Sequence, residues 1–406
     1  MSEEKKACSR RDFLKTAGAV SVGSLLAPMM KTGEVPAQQN SPAQVRVPTR
    51  PFGKTGVNVS ILSLGGMFDI PSNQLLLKQA LEWGVTYWDT ADCYEGGKSE
   101  EGIGKYFKKN PGDREKIFLV SKSDARDPEG ISELLNRSLE RMNTNYIDLY
   151  FIHGIKSIGE LDGKTKDWAE KAKADKKIRF FGFSTHRNME ECLSEAAKLG
   201  WIDGIMMSYN FRLMHNDDMK QAAEACAKAG IGLTAMKTQG GGAVKTDTET
   251  ELKLAGRFME KGFSDKQAKL KAVWENPNIA SICSQMPNMT VLMANVAAAA
   301  DKTKLSSRDR ELLRQYAQET ASDYCRGCSC HCESVIDGDV PVCDIMRYLM
   351  YYRDYGDRDR ARLLFNDIPP NIRSHIAHLD YSGAEQRCPQ KMPIGKLMRE
   401  AVEILA

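Results

Sequence analysis

Eight short apolar segments recur at regular intervals along the chain, and their number and spacing leave few folds open. They cover residues 60–65, 86–89, 117–121, 147–152, 179–184, 204–209, 232–236 and 280–284. Amphipathic stretches such as 131–142 and 189–199 separate them. Short apolar strands alternating with helices argue for parallel βα units. Eight such units favour a closed (β/α)8 barrel of the TIM type over an open sheet. No Gly-x-Gly-x-x-Gly follows the first segment, which weakens a doubly wound dinucleotide fold. Ahead of the series, 50–60 carries a glycine-bearing turn and reads as a hairpin.

Three consecutive segments end in groups able to do chemistry. Asp89 closes the second and Tyr94 follows in its loop, Lys122 follows the third, and His153 follows the fourth. Taken singly, an aspartate there is usually a turn or cap residue, a lysine is solvated, and a histidine is satisfied structurally. Four such groups on neighbouring strand ends lie where barrel enzymes build their active sites. The residue types suit carbonyl reduction, in which oxygen gathers negative charge as hydride arrives and needs a proton. A free phenol titrates near about 10, so Tyr94 as the acid requires a cation beside it. Lys122, held by Asp89, supplies that cation, and His153 can orient the carbonyl.

The run Asp89-Thr90-Ala91-x-x-Tyr94, followed by Ser99-Glu100, resembles the aldo/keto reductases, whose Asp, Tyr, Lys and His tetrad matches Asp89, Tyr94, Lys122 and His153. The resemblance implies an oxidoreductase that interconverts a small-molecule carbonyl and alcohol by hydride transfer from NADP or NAD. It also implies cofactor contacts. Gly66 and Met67 lie over the nicotinamide, Ser184 and Thr185 at its carboxamide, with Thr185 replacing the usual Asn. Tyr209 ends the sixth strand, although the family's Gln three residues earlier is Met206. Lys237 approaches the pyrophosphate, Gly240 lets backbone amides come close, and Asn295 faces the adenine. At the eighth strand Gln285 replaces a glycine, and no Arg or Lys stands nearby to grip a 2′-phosphate. A phosphate without that partner loses charge-assisted bonds of roughly 1.5–3 kcal/mol each, which favours NAD or a degenerate site.

The cysteines are uneven. Of eleven in 406 residues, six fall between Cys325 and Cys388. Cys325 and Cys328 match the opening pair of a ferredoxin-type C-x2-C-x2-C motif, and Cys388-Pro389 matches its distant ligand. The expected third position holds His331, with Cys330 before it and Cys332 after it. The region resembles the ferredoxin-like tail of some bacterial aldo/keto reductases, which implies a [4Fe–4S] cluster on Cys325, Cys328, Cys332 and Cys388, with Cys330 as the rival third ligand. Zinc on four of these groups with His331 and disulfides are the alternatives.

The beginning of the chain carries Ser9-Arg10-Arg11-Asp12-Phe13-Leu14-Lys15 and then an apolar small-residue run. Twin arginines before Phe-Leu-Lys match a twin-arginine export signal, which implies a periplasmic or extracytoplasmic protein and the export machinery as a partner. No later segment is apolar enough to span a bilayer. The division expected is a signal peptide at 1–37, a linker at 38–47, a barrel at 48–300 and a helical cysteine-rich region at 301–406. A net charge of +3 with dispersed basic residues neither suggests nor excludes nucleic-acid binding, and no nucleic-acid partner is expected. A second function class fits the same sequence: an exported redox or binding module that has kept the tetrad, lost turnover, and passes electrons to a partner through its tail.

Overall fold

The computed structural model describes residues 45–243 and 264–406, with Lys253, Gly256, Arg257 and Gly262 between them. The signal segment, most of the linker and part of 244–263 lie outside the described residues. A hairpin of β1 (Thr49–Pro51) and β2 (Asn58–Ser60) precedes eight parallel strands. These are β3 (Leu62–Gly65), β4 (Tyr87–Asp89), β5 (Phe118–Ser123), β6 (Ile147–Ile152), β7 (Ile178–Thr185), β8 (Gly204–Ser208), β9 (Gly232–Met236) and β10 (Ile279–Gln285). They close in that order, with β10 returning to β3. The expected (β/α)8 barrel is thus present, each strand within two residues of the segment read from the sequence.

Strand alternation sorts the side chains into two layers. Tyr87, Phe118, Val120, Leu149, Phe151, Met206 and Met236 fill the barrel interior. Trp88, Leu119, Tyr150, Phe181 and Ile205 point outward against the helices. The hairpin plugs the bottom, where Phe52 is fully buried and packs against Tyr87 and Phe118. Gly232 makes room for it, since a Cβ there would stand 2.5 Å from the Phe52 ring. The same inward parity brings Asp89 and Lys122 to the open end of the barrel.

After β10 come α8 (Met289–Ala300) and α9 (Ser307–Glu319). Leu313 and Tyr316 of α9 pack on Phe211, Ala268 and Ala272, so this helix is still part of the barrel's flank. A second apolar core begins near Cys332 and gathers Ile345, Leu349, Phe365, Leu397 and Met398. Its main helices are α11 (Val342–Arg353), α12 (Arg358–Asn366) and α15 (Ile394–Leu405). Among the described residues no helix is long and apolar enough to cross a membrane.

The C-terminal region sits on the barrel's open end. Asn188 after β7 donates its amide to Gly327 O at 2.8 Å, Arg187 pairs with Asp344 at 2.8 Å, and Arg326 pairs with Glu190 at 2.7 Å. Asn210 after β8 donates to the Tyr324 hydroxyl at 2.9 Å. A Cβ on Gly242 would stand 2.2 Å from Asp323 O, so the two surfaces touch backbone to backbone.

Candidate active site

Lys122 is the hub. Its Nζ lies 2.7 and 2.8 Å from the two Asp89 oxygens, 2.6 Å from Thr90 O and 3.3 Å from the Tyr94 hydroxyl. Both Lys122 and Asp89 are buried. Burial works against the ammonium charge, but Asp89 and Tyr94 outweigh it and hold the Lys122 pKa above its ordinary value. Burial pushes the Tyr94 phenol up while Lys122 pulls it down, and burial wins. The sequence had led us to expect a phenol drawn toward working pH. The covered mouth reverses that by desolvation.

The loop that carries Tyr94 is pinned from both sides. Glu95, Gly96 and Gly97 run through positive φ (51°, 62° and 94°), and a Cβ on Gly97 would collide with the Arg141 guanidinium at 2.5 Å. Arg141 bridges Asp92 at 3.0 Å and buried Glu100 at 3.2 Å, and Arg137 holds Asp92 at 2.7 Å. Ser121 donates to Glu100 at 2.6 Å, so Glu100 serves this scaffold.

His153 faces Tyr94 edge to face, with ring centroids 5.8 Å apart. Its Nδ1 is 2.9 Å from Asp124 Oδ1 and 3.7 Å from Cys93 Sγ. Burial lowers the His153 pKa, and Asp124 opposes it. Burial raises the Asp124 carboxyl, but the hydrogen bond and charge of His153 bring it down to about 2. Below the tetrad, Cys283 on β10 donates to Asp89 Oδ2 at 3.6 Å. Asp124 and Cys283 escaped the sequence reading, because no spacing marks either of them. Among the described residues, Cys93, Asp124 and His153 are the one trio close enough to hold a single metal ion.

Residues 62–318 match the aldo/keto reductase family. The chain belongs to that family. It is 25% identical over 302 residues to the uncharacterized oxidoreductase YqkF of Bacillus subtilis, a likeness covering 66% of this chain and 96% of the relative. It is 33% identical over 159 residues to the aldo-keto reductase yakc [NADP(+)] of Schizosaccharomyces pombe, covering 34% of this chain and 45% of that one. A solved aldo-keto reductase from Bacillus halodurans, in its holo form, superposes with a TM-score of 0.56 at 24% identity, covering 66% of this chain and 96% of that one, and supports the fold.

The residues that the aldo/keto reductase resemblance assigns to a dinucleotide are largely engaged by protein. Thr185 is fully buried, its Oγ1 2.8 Å from Ile155 O and 2.7 Å from Arg187 O. Tyr209 turns outward into the helix layer and accepts from Asn276 at 2.8 Å. Ser184 Oγ accepts from Gly154 N at 3.0 Å, and Asn295 donates to Ser284 at 3.0 Å. Gly66 donates to Asp89 O at 2.7 Å and accepts from Ser99 at 2.7 Å, while Met67 O accepts from Gln285. Gly240 O accepts from Arg212 at 2.8 Å. Lys237 lies 4.5 Å from the Tyr351 ring and 5.7 Å from that of Tyr355, and Asp354 packs on Gly241. With the C-terminal region seated, the rim from β7 to β9 is covered by Tyr324, Tyr351 and Asp354. Arg360 of α12 completes the roof, 5.8 Å over the Tyr94 ring and 3.6 Å from Glu95.

The tail cysteines gather. Cys325, Cys328, Cys332, Cys343 and Cys388 line one cavity, with Val342, Met392 and Ile394 as apolar wall. Cys330 is exposed, and its amide donates to Asn188. Of the two rival third positions, only Cys332 faces the cavity. Cys343, which stands apart from any motif, lies 3.8 Å from Cys325 between the sulfurs. The ten described cysteines are free thiols. No three of the cavity sulfurs lie within 4.8 Å of one another, so they do not surround a point as the ligands of one zinc ion do.

Proposed function

We propose that the protein is an exported oxidoreductase interconverting a carbonyl and an alcohol, with Tyr94 as general acid/base. The observation that carries this reading is Lys122 bonded at once to both Asp89 oxygens and to the Tyr94 hydroxyl, with His153 across from the phenol. In reduction Tyr94 releases its proton to the substrate oxygen, and Lys122 stabilises the phenolate left behind. Asp89 keeps that ammonium charged and fixed. His153 orients the carbonyl. Proton transfer of this kind contributes about 10²–10⁴-fold, so Tyr94→Phe should lower kcat by at least about 100-fold with KM little changed. A steady-state assay over a panel of aldehydes and ketones reads this, and wild-type kcat in the variant overturns the mechanism. The hydride that the carbonyl carbon takes would come from NAD or NADP, as the family implies, and the covered β7–β9 rim would have to open to admit it.

The seated tail favours a second reading, a redox module that exchanges electrons with a partner. Cys325, Cys328, Cys332 and Cys388 would hold an iron–sulfur cluster, with Cys343 beside them as a fifth thiol. Such a cluster supplies one-electron transfer at a potential set by its ligands and burial. Protein purified anaerobically from the exported fraction and then denatured separates the two readings. Stoichiometric nicotinamide nucleotide supports the reductase, whereas iron and sulfide without nucleotide support the redox module.

A further inference from the structure

Between the barrel's open end and the C-terminal region lies a second cavity, which adjoins the thiol-lined one and shares Cys325, Arg326, Cys343 and Met346 with it. Arg187, Lys237, Arg326 and Arg347 all line it. Two of the four come from the barrel loops after β7 and β9, and two come from residues beyond the span that matches the family. Asp344 is shared, at 2.8 Å from Arg187 and 2.9 Å from Arg347, and Glu190 holds Arg326 at 2.7 Å. Glu333, the next carboxylate, accepts from the Cys343 amide. Two carboxylates thus serve three guanidiniums, and Lys237 meets the Tyr351 ring.

The arginines are left incompletely bonded. Nη1 of Arg187, Nε of Arg326 and Nε of Arg347 are each buried without a hydrogen-bond partner. Arg187 is only 8% exposed. Buried guanidinium N–H groups are nearly always satisfied, and an unsatisfied one is costly. Three around one space call for an acceptor that carries negative charge. The neighbouring His186 senses the same field, since burial first, then the charges of Arg347 and Lys237, hold its pKa well below the ordinary histidine value.

We infer that this cavity is a binding site for a small oxyanion, a phosphate or carboxylate group, held by Arg187, Arg326, Arg347 and Lys237. The space, about 40 Å³ and partly open, takes a group the size of a few waters at about 10–15 Å³ each. That excludes a whole dinucleotide and admits one charged head group. The site does not depend on the tetrad, and it exists only while the two halves of the molecule are joined.

The test uses the full chain, titrated calorimetrically with inorganic phosphate and separately with acetate, against chloride at equal ionic strength. Saturable binding of either oxyanion, absent with chloride, is expected. A preference for phosphate points to a phosphorylated ligand, and a preference for acetate points to a carboxylate. Arg347→Met should weaken binding at least about tenfold through the loss of a charge-assisted bond. Because that change also breaks a pair with Asp344, Lys237→Met serves as the second variant. It leaves every arginine pair intact and should weaken binding as well. No saturable binding beyond chloride, or wild-type affinity in Lys237→Met and Arg347→Met alike, would overturn the site.

Discussion

His153 shows how one neighbour decides what a side chain can do. Its Nδ1 is taken by Asp124, so a neutral ring offers a substrate only a lone pair at Nε2. To donate there the imidazole must carry both protons. Burial lowers its pKa from the ordinary value of about 6.5, with Asp124 in opposition. For reduction, kcat/KM should therefore fall as pH rises through a value below about 6.5. Asp124→Asn removes the charge that supports the imidazolium, and should move that limb down by about one pH unit or more. An unchanged profile in Asp124→Asn would mean that His153 acts in its neutral form. The stability sign is opposite: a depressed folded pKa favours the neutral ring, so this contribution is present above about 6.5 and is lost as pH falls through the folded value. The tetrad was legible because each member follows an apolar strand. Asp124 was not, although it lies two residues beyond Lys122, because a loop carboxylate has no pattern. Thr185 was legible only as a departure from asparagine, and its hydroxyl in fact ties the loops after β6 and β7 together through Ile155 and Arg187.

At the level of elements, the strands could be read because burial on both faces writes a short apolar run into the sequence. Helix α11 carries a tyrosine- and arginine-rich run at 347–353. What it rests on was not visible, because Arg187–Asp344 and Lys237–Tyr351 join residues far apart in the chain. Gly327 is the tightest point of that join. It has φ of 81°, and a Cβ on it would stand 2.1 Å from His186 O. Gly338 has a similar φ of 86° with open space around it. Gly338→Ala should lose only the left-handed backbone term of about 1 kcal/mol, whereas Gly327→Ala should lose about 3 kcal/mol or more. Urea unfolding of the two variants gives the comparison. Limited proteolysis should cut near residue 327 in the Gly327 variant first. Equal losses would mean that the contact with His186 yields without strain.

For the molecule as a whole, the second core changes what the barrel can be. A bare barrel of this family would present an open mouth. Here Arg360, Tyr351 and Asp354 cover it, and the thiol-lined cavity lies in the same covering region. The residues that set this arrangement could not be ranked from the sequence, since Cys330 and Cys332 flank the motif position equally. Folding separates them. The short helix Ser329–Cys332 turns Cys332 into the second core, where it is 6% exposed, and leaves Cys330 outside on Asn188. If the cavity holds an iron–sulfur group, Cys330→Ser should keep wild-type iron and sulfide, and Cys332→Ser or Cys388→Ser should lose most of both. Anaerobic purification followed by iron and sulfide analysis per chain decides this, with the visible absorbance as a second readout. Equal loss in Cys330→Ser would mean that this segment rearranges to load its metal. No iron in the wild type would leave five free thiols beside the mouth, to be assigned some other role.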